Sequence, residues 1–205
     1  MNSFSNSTIS TQNLNCSKET TISSTSFEKD LQISDDKKKS IIKSISKNLK
    51  EIIKENIQNN QMQYVINDIF YYIKVPGISL EDYINRIFVC TKMSISTLIM
   101  SIIYIDRFCE INNYILCMNN IHRILLTACL LSIKFNEDII ETKDYAKIAG
   151  IPTNDLNFLE FYFCVKIKFS FFVDYDIYDK YYEYFLKSYY SNLAKQKEKK
   201  IEKET

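Results

Sequence analysis

Apolar positions through the middle of this chain recur every three or four residues, the spacing of helices buried along one face. The first such stretch is DDKKKSIIKSISKNLKEIIKEN, where Ile41, Ile45, Leu49, Ile52 and Ile53 share a stripe and Asp35 and Asp36 suit a helix N-terminus. It predicts an amphipathic helix over 35–59, and MQYVINDIFYYI either continues it or begins another. Pro76-Gly77 then interrupts the pattern, and five helices are predicted over the next ~90 residues. Leu80, Tyr83, Ile84, Ile87 and Phe88 mark the first, with Ser79 and Asp82 as a capping pair. Ser94 or Ser96 opens ISTLIMSIIYIDRF, and Asn119 or Asn120 opens IHRILLTACLLSIKF. Thr142 opens KDYAKIA, which Gly150 closes, and Pro152-Thr153 leads into NDLNFLEFYFCVKI. The third of the five is apolar almost all round, as a helix enclosed by others must be.

The two ends read differently. Residues 1–34 are rich in Ser, Thr and Asn, with too little apolar surface to offset the entropy of ordering, and are expected to be disordered. A helix stacked with Tyr and Phe is predicted within 171–192, followed by a charged tail over 193–205 that frays into solvent.

Composition supports an all-α fold, since two glycines and two prolines are too few for the turns of a sheet protein. Lys and Arg number 26 against 25 Asp and Glu, so no overall basic charge points to nucleic acid or an anionic membrane. The six cysteines lie mostly in apolar stretches without any CxxC, the pattern of reduced core residues in an intracellular protein; nucleus and/or cytoplasm is the expected location. With His122 as the single histidine, no metal or cofactor site is expected, and no phosphate loop, dinucleotide fingerprint or HExxH motif suggests an enzyme. The runs LIMSIIYI and ILLTACLLSI are far short of a bilayer span, and the N-terminus lacks the basic and apolar regions of a signal peptide.

Four charges interrupt apolar stripes: Arg86, Asp106, Lys134 and Glu160. A charge turned toward a core must be paired or it costs several kcal/mol, and two acids with two bases allow two pairs. Each also has an ordinary reading. Arg86 could meet Asp82 on an exposed face, and Lys134 could serve a helix C-terminus through the macrodipole. Glu137 and Asp138 follow Lys134 and Phe135 directly, where the dipole of the preceding helix disfavours acids; a solvated loop is their ordinary place.

In order, SLEDYINRIF, IIYIDRF, HRILLTACLLSIKFNED, AKIAGI and LNFLEFYF resemble the cyclin box of the P-type (U-type) cyclins, over about residues 60–170. The resemblance implies a five-helix box with flanking helices, acting as the non-catalytic, activating subunit of a cyclin-dependent protein serine/threonine kinase in a heterodimer. It places Arg86 and Asp106 as a buried structural ion pair joining the first two box helices. It places Lys134 and Glu160 as the residues that grip the kinase near its regulatory helix, with Phe135 at the centre of that interface; Glu137 and Asp138, beside the pair in sequence, are expected as rim charges that meet the kinase. Where the family often has two glycines this chain has Ala149-Gly150, which implies a slightly different turn. The first box helix lacks the substrate-docking pattern of cell-cycle cyclins, so recognition of short basic-leucine motifs is not expected. The alternative use of such a box, binding DNA or transcription proteins, would need a basic face that the charge balance does not favour.

Overall fold

A computed structural model describes residues 33–59, 68–137 and 141–204, and every described element is helical. The helices are α1 (Asp35–Gln58), α2 (Leu80–Thr91), α3 (Ile95–Asn112), α4 (Ile121–Asn136), α5 (Thr142–Ala149), α6 (Thr153–Lys166) and α7 (Tyr175–Glu204). The five helices expected for the box are α2–α6, and the predicted starts fall within a residue of those observed. Ser79 accepts a bond from the Asp82 N–H, and Ser94 one from the Thr97 N–H, so both serines cap as their sequence contexts suggest. Gly150 ends α5 at φ 72°, a left-handed conformation that glycine adopts without steric cost. The expected disordered segment lies almost wholly outside the described residues.

The centre is the α3–α4 pair. α4 is buried on every side along most of its length, as its uniform apolarity requires, and α3 buries nearly as much. Small polar residues line the contact with their hydroxyls satisfied: Ser132 Oγ donates to the Thr97 carbonyl at 2.7 Å and Ser101 Oγ to the Leu98 carbonyl at 2.6 Å. α6 packs on α3, α4 and α5, and α2 on α1, α4 and α5. α1 and α7 lie against each other, and α7 also packs on α3.

The last helix starts at Tyr175, inside the expected 171–192; before it Lys168 and Phe169 both take left-handed backbone angles (φ 55°) and turn the chain sharply after α6. The charged tail departs from expectation, since it does not leave the helix at 193. Backbone helix continues to Glu204, since Ala, Lys, Gln and Glu are strong helix formers and neither Gly nor Pro intervenes.

Candidate functional site

Lys134, in the last turn of α4, reaches across to Glu160 in the middle of α6. Its Nζ donates to both carboxylate oxygens, at 2.6 and 2.8 Å. The partners are 26 positions apart in sequence and meet because α4 and α6 pack side by side. Neither is sequestered: the side chains keep 30% and 19% of their exposure. The ammonium retains a third N–H, and each carboxylate oxygen a further lone pair, so the pair can offer one donor and several acceptors to an incoming surface. Cys164, one turn along α6, has its thiol pushed up to about 11 by burial, with the Glu160 charge adding to it.

Exposed aromatic side chains adjoin this pair along the chain, and a ring contact links them to the turn after α6. Phe135 follows Lys134 and is more than half exposed, its ring 5.7 Å from that of Phe171. Phe161, Phe169 and Phe172 are also more than half exposed, and Val165 is nearly so. On α6, Phe158, Phe161 and Val165 share the face opposite the buried Leu156, Leu159 and Phe163. Large apolar residues thus remain in water on the same part of the molecule as the charged pair. The signal in the sequence was that α6 carries more apolar residues than one stripe needs. Phe135 was legible; Phe161, Phe169 and Phe172 were not, because periodicity alone does not say which of two apolar faces is turned out.

The remaining predicted residues divide. Glu137 is near the pair, but its Oε1 accepts the backbone N–H of Ser94 at 2.7 Å. In the usual capping box a residue three positions into the helix supplies that acceptor. Here Thr97 holds that position and the carboxylate comes from α4's far end. The acid that sits badly beyond the C-terminus of α4 therefore sits well at the N-terminus of α3. Asp138 lies outside the described residues.

The expected Arg86–Asp106 ion pair is not formed. Arg86 is exposed on α2, which packs on α1, α4 and α5, while Asp106 faces α7 from α3. The Asp106 carboxylate accepts a hydrogen bond from the buried Tyr181 hydroxyl instead. Burial pushes Asp106 up to about 6, with the Tyr181 bond opposing that shift. A phenol can satisfy a half-buried acid without desolvating a second charge, and Arg86 keeps its water. Nor are Arg86 and Asp82 an ion pair among the described residues; Asp82 instead accepts from Ser79 Oγ at 2.6 Å.

The fold is thus a helical box presenting exposed aromatic side chains and a charged pair. The family whose model matches residues 8–171 is the cyclins, and the chain belongs to it. It is 34% identical over 115 residues to Cyclin-U2-2 of Arabidopsis thaliana, covering 55% of this chain and 50% of that one. It is 28% identical over 114 residues to Cyclin-P3-1 of Oryza sativa subsp. japonica, covering 55% and 48%. It is also 34% identical over 108 residues to the PHO85 cyclin-like protein psl1 of Schizosaccharomyces pombe, covering 51% and 44%. The chain spans about half the length of these curated relatives. No helix among the described residues is long and apolar enough to cross a membrane.

Proposed function

We propose that this chain is the regulatory, non-catalytic subunit of a cyclin-dependent protein serine/threonine kinase. In this reading it binds the catalytic subunit through the face made by the ends of α4 and α6 and the turn after α6. The observation that carries the reading is the Lys134–Glu160 pair, partly open to solvent and set among exposed phenylalanines, in a chain of the cyclin family. Lys134 and Glu160 offer polar contacts to the kinase backbone beside its regulatory helix, and Phe135, Phe161, Phe169 and Phe172 form the apolar centre of the interface. Covering the pair excludes water and strengthens its hydrogen bonds. Activation is a population shift: this chain favours the kinase conformer whose regulatory helix is swung in, which completes the Lys–Glu pair that positions ATP.

The test is capture of purified cyclin-dependent kinase catalytic subunits by wild type, Lys134→Glu and Glu160→Lys, with circular dichroism to establish folding. Removing one partner of a polar pair that is buried on binding costs about 2–5 kcal/mol, or roughly 30- to several thousand-fold in affinity. Each variant is expected to stay helical and lose capture. Folded Lys134→Glu protein that binds as wild type does would overturn the reading.

A further inference from the structure

The turn between α6 and α7 is strained and yet held in place. Lys168 and Phe169 both have φ of 55°, a region in which non-glycine residues are disfavoured, and two in succession are unusual. Glycine would be cheaper at either position, but at 169 it would carry no ring. Phe169 stands more than half exposed, so its side chain does not repay the strain by packing in this molecule. Strained, non-glycine backbone of this kind persists where surrounding structure enforces it and function uses it.

The enforcing groups come from α3. Arg107 Nη1 donates to the carbonyl oxygens of Ser170 at 2.9 Å and Phe172 at 2.7 Å. Tyr104 Oη donates to the Phe171 carbonyl at 2.9 Å, and Asn112 Nδ2 to the Lys166 carbonyl at 3.3 Å. Within the turn, the Phe169 N–H donates to the Cys164 carbonyl and the Phe171 N–H to that of Phe169. The Phe171 ring lies edge-on to Tyr104 and against Phe135, which joins the turn to the end of α4. Four backbone carbonyls from 166 to 172 are thus held by side chains of a single buried helix.

We propose that Arg107 and Tyr104 are positioning residues of the docking face: they set the 168–172 turn in advance, so that Phe169 and Phe172 are already presented beside Phe135 and the Lys134–Glu160 pair. This rests on the kinase reading of that face. A preset turn spares the complex the cost of ordering those rings on binding. Without Arg107, only molecules with the turn in place are competent, and apparent affinity falls by that fraction.

The experiment uses the full chain and a panel of purified cyclin-dependent kinase catalytic subunits, with affinity measured well below the melting temperature. Amide exchange at Phe169 and Phe171 is followed in parallel. Arg107→Ala is expected to speed that exchange and weaken binding about tenfold or more. Arg107→Lys, which keeps the cation beside Asp106 and Glu110 and can still reach one carbonyl, recovers part of the affinity. Phe169→Gly removes the strain with the ring; it is expected to melt no lower than wild type and still bind about tenfold more weakly. A merely structural role for Arg107 would move melting temperature but not affinity at a temperature where every variant is folded. Wild-type affinity in Arg107→Ala or Phe169→Gly, or unchanged exchange in Arg107→Ala, overturns the inference and leaves the kinase reading standing. Failure of wild type to bind any kinase overturns the kinase reading and the docking role of the turn with it.

Discussion

Asp106 shows what a change of one partner does to a prediction. Paired with Arg86, it would be a carboxylate held ionised, and Arg86→Ala would be severe. Bonded to Tyr181 it is an acid that favours its proton, and the exposed Arg86 carries no structural charge pair. Arg86→Ala is therefore expected to change stability by less than about 0.5 kcal/mol, a melting shift within about 2 °C; a drop several times larger in a thermal melt would restore the ion pair. The pH dependence lies with Asp106. It holds its proton up to about 6 in the folded chain against an ordinary 3.8, so between those values the folded state binds more protons than the unfolded one. Its contribution to stability is fully present below the lower value and is lost as pH rises through the higher. Asp106→Asn keeps an acceptor for Tyr181 but cannot ionise. The variant should match wild type near pH 4 and exceed it above pH 7 by up to about 3 kcal/mol, since each tenfold change in proton affinity is worth ~1.4 kcal/mol. Denaturant titrations at several pH values read the difference; a constant gap across the range would mean that the carboxyl titrates alike in both states.

Helices were legible as elements because stripe, cap and breaker agreed: Ser79 and Ser94 cap where they should, and Gly150 ends α5. Relations between elements were less so. Lys134 and Glu160 were recognisable as interruptions, and a resemblance suggested their partnership, but nothing in the local pattern says that α4 and α6 lie side by side. Glu137 makes the point in reverse. Its position after α4 looks unfavourable until α3 is placed, when it becomes the missing acceptor of the Ser94 capping arrangement. Glu137→Ala should therefore loosen the start of α3. The loss of a charge-assisted bond at a helix N-terminus is expected to cost about 1–2 kcal/mol, with faster amide exchange at Ser94 and the first turn of α3. If Glu137 served instead as a rim charge for a partner, exchange at Ser94 would not change and only the salt dependence of association would.

At the scale of the molecule, the helices outside the box share its core. Ile41, Ile45 and Leu49 of α1 are fully buried, and Tyr178, Phe185 and Leu186 of α7 are nearly so; all belong to the same apolar cluster as the centres of α3, α4 and α6. The contacts are polar as well. Asn56 of α1 donates to the Leu116 carbonyl ahead of α4 at 2.9 Å, Asn48 to Tyr184 Oη at 3.0 Å, and Tyr178 Oη lies 2.8 Å from Ser96 Oγ at the start of α3. A box cut at 68–170 would leave apolar surface of α2 and α3 uncovered and Asp106 without Tyr181. Burial is worth about 25 cal/mol per Å² of apolar surface, and whole domains are stable by only about 5–15 kcal/mol. Six large side chains lost from the core, at roughly 1.5–3 kcal/mol each, already match that margin. The 68–170 fragment is therefore expected to lose cooperative thermal unfolding, to show reduced helicity and to bind a hydrophobic dye, whereas 33–204 melts in one transition. A 68–170 fragment with a sharp melt near that of the longer chain would show that α1 and α7 are additions to a self-sufficient box. Loss of kinase binding in such a folded fragment would then come from contacts that α1 or α7 makes or from the missing Phe171 and Phe172, and not from unfolding of the face on α4 and α6.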